Sequence, residues 1–395
     1  MSSVIKVYLK PGKELSIRRL HPWIFSGAIK QLDGKPAEGD IVLVYSNKKE
    51  FLATGHFQIG SIAIRIFSFE KIQPEYEFWH LKILSAYNLR RSLGLTDNAD
   101  TNVYRLVNAE GDLMPGLIID YYDGIAVMQF HSIGMYRLRE ILADILKKIL
   151  GTKLKAVYDK SEQTIPFKSG INAKNEYLFG NADVTTVKEN GNLFIVDWEE
   201  GQKTGFFIDQ RDNRTLLGSF STGRKVLNMF CYSGGFSVYA IQGGAKLVHS
   251  VDSSSKAIEL TNKNVELNFK NYSNHKSFTE DAQKYLNKST NSYDLIILDP
   301  PAFAKHQNVL ENALQGYKRL NIKAFEKIEK GGILFTFSCS QVVSKENFRK
   351  AVFAAAANTG RNVKILHQLS QPADHPVSIY HPEGEYLKGL VLNVD

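Results

Sequence analysis

Hydrophobic and polar residues alternate in short runs over residues 1–72. The runs VYLK, IVLVYS, FLATGHF and IAIRIF are separated by turn signals at Pro11-Gly12, Asp33-Gly34 and Glu38-Gly39-Asp40. Short alternating strands between such turns are typical of a small β-barrel. We therefore predict a barrel domain over residues 1–72.

The pattern changes after Pro74. Helical periodicity runs over 75–93, and three strand-like runs follow, VYRLVNA, GLIIDYY and IAVMQF. The stretch YRLREILADILKKIL, residues 136–150, is typical of an amphipathic helix, and AVYDKS is a further strand. These elements predict a small α+β linking domain over residues 73–180. The run NGNLFIVDW, around Gly191, predicts a hairpin that leads into the last domain.

Strands and helices alternate from Arg224 onward. The apolar runs VLNMF, KLVHSVD, DLIILD and GGILFTFS predict strands, and KAIELTNKNVELN and KENFRKAVFAAAA predict helices between them. Such alternation is typical of a parallel sheet that is covered on both faces. We therefore predict an α/β domain over residues 181–395, with its ligands beyond the carboxyl ends of the strands.

A pair of glycines follows the first of these strands, in CYSGGF. Asp252 ends the next strand, eighteen positions after Gly234, which is the separation that places an acid near ribose hydroxyls. The G-x-G-x-x-G pattern of a pyrophosphate cradle is absent, so a ligand with ribose but no phosphate fits, such as S-adenosylmethionine. Asp281, in FTEDAQ, is placed to meet the adenine amino group. The alternative is a purely structural strand–helix turn.

The run DLIILDPPAF ends a buried strand with Asp299, Pro300 and Pro301. Neither proline can donate a ladder hydrogen bond, so the strand must stop there and the turn is stiff. We interpret this turn as a device that holds the Asp299 carboxylate against the edge of a nucleobase. The alternative is that Asp299 caps a following helix.

A cysteine closes the last predicted strand, in FTFSCSQ. Strand cysteines are usually packed in the core, but Cys339 stands among polar residues at the ligand-binding edge. A thiolate that adds to carbon 6 of cytosine makes carbon 5 nucleophilic enough to take a methyl group. Asp299 would then stabilise the charge that builds up on the ring. Cys231, in the predicted cofactor loop, is the competing thiol, and we interpret it as packing or a cofactor contact.

Composition bounds the class of protein. Apolar residues make up 43% and charged residues 23% of the 395 residues, which is ordinary for a globular protein. No apolar run approaches the roughly 18 residues of a membrane span, and the first residues lack a secretory signal. Two cysteines exclude a disulfide framework and a four-thiolate zinc site. We predict a cytoplasmic protein with reduced thiols and no metal site.

Positive charge is concentrated near the start of the chain. The net charge is +8, and residues 1–35 hold seven basic against two acidic residues. A clustered charge indicates a nucleic-acid partner more strongly than a spread one. The alternative is a solvated basic face.

Several motifs along nearly the whole chain resemble those of one family. They are HPWIFSGAIK, GDIVLVY, GDLMPGLIIDYYDG, VYDKSE, GQKTGFFIDQRDNR, NMFCYSGGF, LDPPAFAKHQ, FSCS and DHPV followed by EGEYLKG. The sequence is similar to the RlmI-type class I methyltransferases, which make 5-methylcytosine in 23S ribosomal RNA. The resemblance implies a Rossmann-like domain with a seven-stranded, mostly parallel sheet, an N-terminal PUA-like barrel and a small α+β linking domain.

The same resemblance implies roles for individual residues. S-adenosylmethionine is the implied methyl donor and Cys339 the nucleophile, with Asp299 as the second catalytic residue. Ala302 fills the place where other cytosine methyltransferases carry a second cysteine, so product release cannot use such a thiol. The predicted cofactor contacts are Gln210, Arg211, Phe230, Tyr232, Ser233, Gly234, Gly235, Asp252, Ser253, Asp281, Ala282 and Asp299. The predicted RNA contacts are Arg18, Arg19, His21, Trp23, Pro300, Pro301 and Lys305.

Three other functions remain open at this stage. A related branch with the same D-P-P turn methylates guanine, but that chemistry needs no thiol. An RNA-binding assembly factor with an inactive methyltransferase fold is a second alternative, and a hydride-transferring Rossmann enzyme is a more distant one. The sequence does not show which cytosine would be modified or the oligomeric state, although a homodimer is compatible with a basic RNA enzyme.

Overall fold

The structure is a computed structural model that describes residues 4–166, 170–304 and 306–395. Its chain divides into two compact units. The first contains the chain up to Val187 together with Val196–Phe206 and Ala373–Gly384, and the second contains Lys188–Ile195, Phe207–Pro372 and Glu385–Asp395. Within the described residues, every helix falls short of the length and apolarity needed to cross a bilayer.

The first sheet of the first unit has six strands in the order β2-β6-β5-β4-β1-β3. Its strands are β1 Ile5–Leu9, β2 Trp23–Phe25, β3 Ile29–Leu32, β4 Ile41–Tyr45, β5 Phe51–Phe57 and β6 Ile62–Ser68, with a short helix α1 at Leu15–Arg18. The two edge strands, β2 and β3, are separated by one 3-10 turn, so the sheet must curl until its edges approach each other. Alternate residues such as Val42, Val44, Ile64 and Ile66 are fully buried inside the curl.

The second sheet of this unit has five strands in the order β11-β10-β9-β8-β7. Its elements are α2 Tyr76–Ser92, β7 Val103–Asn108, β8 Leu117–Tyr122, β9 Ile125–Phe130, α3 Ile133–Tyr136, α4 Arg139–Leu150, β10 Ala156–Asp159 and β11 Glu176–Gly180. The apolar faces of α2 and α4, which include Trp79, Ile83, Leu142 and Leu146, pack against the sheet in one core. The helix predicted over residues 136–150 is therefore split between α3 and α4.

A late segment of the chain completes the first unit. The Arg90 guanidinium, fully buried, binds both carboxylate oxygens of Asp112 at 2.6 and 2.9 Å and donates to the Asp374 carbonyl at 2.7 Å. The Asp374 carboxylate accepts a hydrogen bond of 2.9 Å from the Arg105 backbone N–H. Removing one partner of such a buried pair typically costs about 3–5 kcal/mol.

A hairpin carries the chain from the first unit into the second. Its strands are β12 Thr185–Glu189 and β13 Asn192–Val196. Asn190 and Gly191 form the tip, both with positive φ, 48° and 82°, which is the conformation that two-residue hairpin turns require. The hairpin predicted around Gly191 is present.

The second unit is built on a seven-stranded sheet in the order β16-β15-β14-β17-β18-β20-β19. Its strands are β14 Lys225–Met229, β15 Leu247–Asp252, β16 His275–Thr279, β17 Tyr293–Leu298, β18 Ile328–Ser338, β19 Val363–Leu369 and β20 Lys388–Val394. Its helices are α5 Arg211–Ser219, α6 Gly235–Gln242, α7 Ser255–Asn268, α8 Ala282–Lys288, α9 Leu310–Lys327 and α10 Lys345–Thr359. The first five strands in this order are parallel, while β20 is antiparallel to both β18 and β19.

Helices cover both faces of this sheet, as the strand–helix alternation predicts. Leu227 and Met229 of β14 face a core cluster that contains residues of α8, α9 and α10. Asn228 lies between them and must point to the opposite face. There its side-chain amide donates a hydrogen bond of 2.9 Å to the hydroxyl of Ser237, in α6. The carboxyl ends of β14 to β18 thus form one edge, and the predicted site residues of this unit follow those ends, except for Gln210 and Arg211, which precede β14.

Candidate active site

The loop after β14 is held by the acid at the end of β15. The Asp252 carboxylate accepts a hydrogen bond of 3.0 Å from the Tyr232 backbone N–H and one of 2.9 Å from the Ser254 N–H. Phe230 and Tyr232 both have positive φ, 59° and 46°. Side chains other than glycine rarely adopt this conformation, and it concentrates at binding sites. Asp252 therefore fixes the shape of the loop and keeps lone pairs for further donors.

The two glycines of this loop are required by neighbours within the protein. Gly234 has φ 75° and precedes α6, and a Cβ there would lie 2.8 Å from Thr261 Cγ2. A Cβ on Gly235 would lie 2.9 Å from the Arg214 side chain. Ser233, which precedes them, is buried, and its carbonyl accepts a hydrogen bond of 2.8 Å from Asn264. The glycines thus allow the loop to pack closely against α5 and α7.

Three further predicted cofactor contacts lie at the ends of β15 and β16. Ser253 is exposed just after β15. Asp281 is exposed and caps α8, because its carboxylate accepts a hydrogen bond of 3.0 Å from the Lys284 N–H. Ala282, the first residue of that helix, is buried. The capping bond occupies one lone pair of the Asp281 carboxylate and places the group at this edge of the sheet.

Asp299 follows β17 directly and is oriented by a short chain of amides. Gln210 Nε2 donates a hydrogen bond of 3.0 Å to Asp299 Oδ2, and Asn213 Nδ2 donates one of 2.6 Å to Gln210 Oε1. Gln210 and the adjacent Arg211 are both buried at the start of α5. The strand ends before Pro300, and the next helical turn begins only after His306, so Asp299 does not cap a helix.

Cys339 lies beside the Asp299-Pro300-Pro301 turn. The strands β17 and β18 are parallel neighbours, with Leu298 opposite Thr336. This register brings the Cys339 thiol to 3.8 Å from the Pro300 carbonyl oxygen, a contact within reach of a weak S–H donor. Cys339 is partly exposed. The structure therefore brings together the two residues for which the sequence predicts catalytic roles.

The two serines around Cys339 hold it in place. Ser338 donates a hydrogen bond of 2.9 Å to the Tyr317 hydroxyl, and the Ser340 hydroxyl lies 3.0 Å from the same group. The Ala304 N–H also donates to Ser340 Oγ at 3.3 Å. Both serines are fully buried, and both side chains point to the same hydroxyl group. The S-C-S sequence thus anchors the backbone on either side of Cys339, which is itself partly exposed.

Lys388 is a residue of this site that reasoning from the sequence missed. It begins β20 opposite Ser338, is 4% exposed, and donates hydrogen bonds to the carbonyls of Ser340 at 2.6 Å and Tyr386 at 2.8 Å. Burial lowers the pKa of its ammonium group to about 8, while attraction to negative charge on Cys339 acts in the opposite direction. The sequence signal that could have indicated this residue is a lysine at the start of the otherwise apolar run KGLVLNV.

Cys231, the competing thiol, is packed in the interior. It is 6% exposed, and its sulfur lies 3.5 Å from the Thr261 hydroxyl. Burial raises the pKa of the Cys231 thiol to about 12. Because the thiolate is the nucleophilic form, Cys231 is poorly suited to attack a substrate.

The predicted RNA contacts of the first unit differ in their surroundings. Arg18 and Arg19 are exposed, and Arg18 forms an ion pair with Glu50. Trp23 is only partly exposed, and its indole N–H donates a hydrogen bond of 2.8 Å to Glu110. His21 packs edge-on against the Trp23 ring. In the second unit, Pro300 is buried and Pro301 exposed, while Lys305 lies outside the described residues.

Comparison with known proteins identifies the family. A family model described as S-adenosylmethionine-dependent methyltransferase matches residues 118–380, and a model described as PUA-like domain matches residues 7–69. Proteins named ribosomal RNA large subunit methyltransferase I are similar over nearly the whole chain. Those of Aeromonas hydrophila and Tolumonas auensis are 38% and 39% identical, and each alignment covers 98% of both chains. The chain belongs to the ribosomal RNA large subunit methyltransferase I family.

Solved structures agree with this assignment at the level of the fold. A SAM-dependent methyltransferase from Streptococcus mutans superposes with a TM-score of 0.86 over 99% of this chain and 100% of its own, at 23% identity. A methyltransferase complexed with SAH superposes with the same TM-score. The predictions of a Rossmann-like methyltransferase fold, an N-terminal PUA-like domain and S-adenosylmethionine as cofactor are confirmed. The domain boundaries at residues 72 and 180 and the roles of individual residues stay predictions.

Proposed function

We propose that this chain methylates carbon 5 of a cytosine in the 23S RNA of the large ribosomal subunit. The names of its relatives support ribosomal RNA of that subunit as the substrate. The observation that carries the choice of cytosine carbon 5 is the placement of a partly exposed thiol, Cys339, beside the Asp299-Pro300 turn. Transfer to a ring or amino nitrogen would need the turn but no thiol. Of the two cysteines, Cys231 is buried and Cys339 is partly exposed. Only Cys339 is therefore accessible to a substrate.

The reaction follows from these two side chains. The Cys339 thiolate adds to carbon 6 of the cytosine while Asp299 hydrogen-bonds the N3/N4 edge, and the ring becomes nucleophilic at carbon 5. S-adenosylmethionine supplies the methyl group and leaves as S-adenosylhomocysteine. A base then removes the carbon 5 proton, the bond between carbon 6 and sulfur breaks, and the thiolate and 5-methylcytosine are released. No second cysteine follows Pro301, so Cys339 itself is the leaving group and no other thiol is required.

Lys388 and the flanking serines favour the reactive form and position of the thiol. The positive charge of Lys388 favours a neighbouring thiolate, which is the nucleophilic species. The hydrogen bonds that Ser338 and Ser340 each share with the Tyr317 hydroxyl fix the backbone on either side of Cys339. Neither serine can replace the thiol, since a hydroxyl without an adjacent base is a weak nucleophile at neutral pH.

The cofactor and the target base are assigned to neighbouring parts of the same sheet edge in the second unit. Asp252 is positioned to accept hydrogen bonds from the ribose hydroxyls, and Asp281 to meet the adenine amino group. The loop of Phe230 to Gly235 would carry the methionine part of the donor. Pro300 and Pro301 would contact the target base, and the exposed Arg18 and Arg19 would bind RNA phosphates.

Trapping of the covalent intermediate tests the proposal. Full-length protein is incubated with an RNA that carries 5-fluorocytosine and with S-adenosylmethionine, and the products are separated on a denaturing gel. Fluorine leaves no proton to remove from carbon 5, so the thioether adduct should persist after methyl transfer. Cys339→Ala should abolish both the adduct and methylation but keep cofactor binding. Cys231→Ala, the matched control, should retain the adduct.

The position of the crosslink decides between outcomes. Peptide mapping should place the RNA on Cys339. An adduct on Cys231, or full methylation by Cys339→Ala, would overturn the thioether mechanism and favour a reaction of the guanine-modifying type. Failure of both variants to bind S-adenosylmethionine, checked by calorimetry, would instead show that the substitutions damage the fold.

A further inference from the structure

Two histidines and a carboxylate meet in the first unit, outside the site described above. His21 lies just before β2, and His381 and Glu383 lie in the late segment Ala373–Gly384. His21 Nε2 is 3.4 Å from both carboxylate oxygens of Glu383, and His381 Nε2 is 3.7 Å from one of them. One donor atom from each of the three residues can be chosen so that all lie within 4.8 Å of one another.

His381 is the least expected member of this cluster. Its side chain is 3% exposed, and neither ring nitrogen has a hydrogen-bond partner among the described residues. A distance of 3.7 Å to Glu383 is too long for a hydrogen bond. Burying an imidazole without partners costs free energy, so the ring needs a compensating interaction, and its Nε2 is the atom that lies 3.7 Å from the Glu383 carboxylate.

The geometry points to a bound metal ion: we propose that His21, His381 and Glu383 bind a divalent transition-metal ion of the Zn²⁺ type. Zinc takes histidine nitrogens and carboxylate oxygens at about 2.0–2.2 Å in a tetrahedron, which places neighbouring ligand atoms about 3.4 Å apart. The two histidine–carboxylate separations, 3.4 and 3.7 Å, are close to this value, and the third separation, within 4.8 Å, would shorten as the two rings turn toward the ion. Imidazole ligands with one carboxylate favour zinc and similar first-row ions over Mg²⁺ or Ca²⁺.

A second interaction orients the His21 ring for this role. Its Nδ1 lies 3.2 Å from the Trp23 carbonyl oxygen. Metal-binding histidines commonly donate their other ring N–H to a backbone carbonyl, which leaves the lone pair of the coordinating nitrogen free. The Trp23 N–H lies at the same distance from Nδ1 and would stabilise the other tautomer, so metal binding selects between the two.

The surrounding charges are compatible with a cation. Arg65 is a basic residue close to Trp23, because its guanidinium lies 5.3 Å from the centroid of the Trp23 ring. It is neutralised by Glu110, whose carboxylate is 2.5 Å away. Glu383 adds a carboxylate that attracts a cation to the two imidazoles. Its side chain is 41% exposed and that of His21 17%, so a water molecule can complete the four ligands.

Such an ion would join parts of the chain that are far apart in sequence. His21 and Glu383 are 362 positions apart, and β2 is an edge strand of the N-terminal sheet. Metal binding would therefore fix the late segment to that edge and raise the stability of the first unit, because an ion that binds only the folded state stabilises it.

The test uses the full-length protein after dialysis against a chelator. Titration with ZnCl₂ by calorimetry should show one ion per chain, and added Zn²⁺ should raise the melting temperature. His381→Gln, His21→Gln and Glu383→Gln should each weaken Zn²⁺ binding at least tenfold and remove the thermal shift. His80→Gln is the matched control, because His80 also lies beside a glutamate, Glu77, at 3.3 Å, but the part of the chain that the structure describes offers this pair no third ligand. His80→Gln should bind Zn²⁺ like the wild type.

Cobalt distinguishes the proposed ligands from thiols. Co²⁺ bound at this cluster should give the visible spectrum of a four-coordinate site without a thiolate charge-transfer band, and Cys339→Ala should leave that spectrum unchanged. Absence of stoichiometric Zn²⁺ binding, unchanged affinity in His381→Gln, or loss of binding in Cys339→Ala would each overturn the proposal. Circular dichroism of the metal-free variants confirms that each is folded, and His21→Gln provides an independent variant should His381→Gln fail to fold.

Discussion

Gln210 and Asp299 are joined by a hydrogen bond of 3.0 Å in which the amide donates to the carboxylate. We expect Gln210→Ala to lower kcat/KM for RNA methylation about tenfold or more, since a hydrogen bond to a charged group is typically worth about 1.5–3 kcal/mol. Gln210→Glu should lower it further, because two carboxylates would then repel each other. Steady-state methylation kinetics measure both variants.

The control for this prediction is Gln242→Ala. Gln242 accepts a hydrogen bond from Asn192 at the end of α6, away from Asp299. Kinetics of Gln210→Ala equal to those of Gln242→Ala would show that the amide does not orient the carboxylate.

Asp252 provides a test of the cofactor site. Asp252→Ala should weaken S-adenosylmethionine binding by about 1.5–3 kcal/mol, since the ribose loses a charged acceptor and the loop at Tyr232 loses its anchor. Asp294→Ala is the matched control: its carboxylate likewise accepts a backbone hydrogen bond, from Lys225 at 2.7 Å, but at the amino end of β17. Calorimetry that gave equal affinities for wild type and Asp252→Ala would place the cofactor elsewhere.

The basic start of the chain should determine the salt dependence of RNA binding. The ion pair of Arg18 with Glu50 is half exposed and worth little, so Arg18 can exchange Glu50 for a phosphate. Arg18→Ala/Arg19→Ala should reduce the log–log slope of affinity against salt by roughly 0.7–0.9 per lost contact. Lys263→Ala/Lys350→Ala removes the same charge from exposed helical ion pairs and should leave the slope unchanged. Equal slopes in both double variants would mean that Arg18 and Arg19 are only solvated.

Lys388 should make stability depend on pH. Burial lowers its pKa from 10.5 to about 8, so between these values the unfolded chain binds more protons than the folded one. The unfolding free energy of the wild type should therefore rise with pH from about 8 to 10, relative to Lys388→Met. Below pH 8 the buried ammonium costs the folded state its full desolvation penalty. Urea unfolding of both proteins at four pH values measures the difference between their unfolding free energies. A difference that does not change with pH would contradict the lowered pKa of Lys388.

The sequence predicts the elements of the parallel sheet and the edge at which its ligands bind. Strands β14, β15, β17 and β18 are apolar runs that end in turn residues, so their positions, and the placement of Asp299 and Cys339 after neighbouring strands, follow from local patterns. Strand β19 was not predicted, because most of Val363–Leu369 is exposed and its pattern is weak. Its partner β20 is a buried, apolar run that was overlooked, and Lys388 at its start was missed with it.

Interactions between distant segments lie beyond the reach of such patterns. The helix predicted over residues 136–150 begins only at Arg139 and is preceded by the separate short helix α3, in which Gly134 packs so closely against His56 that a Cβ would lie 2.2 Å from the ring. The periodicity of a helix carries no information about a neighbour that lies about eighty residues earlier in the chain. The meeting of His21 with His381 is hidden in the same way, since neither histidine belongs to a recognisable ligand motif.

Because Arg90 donates a hydrogen bond to the Asp374 carbonyl, the first unit cannot be complete until Asp374 has been synthesised. These residues are 284 positions apart, and ribosomes add roughly 5–20 residues per second, so Asp374 is synthesised about 14–57 s after Arg90. Throughout that time the Arg90 guanidinium can pair with Asp112 but lacks the Asp374 carbonyl, and the Arg105 N–H lacks the Asp374 carboxylate. The first unit therefore reaches its complete native packing only when the chain is almost fully made. A truncation before Ala373 would destabilise this N-terminal unit, although the deleted residues lie near the other end of the chain.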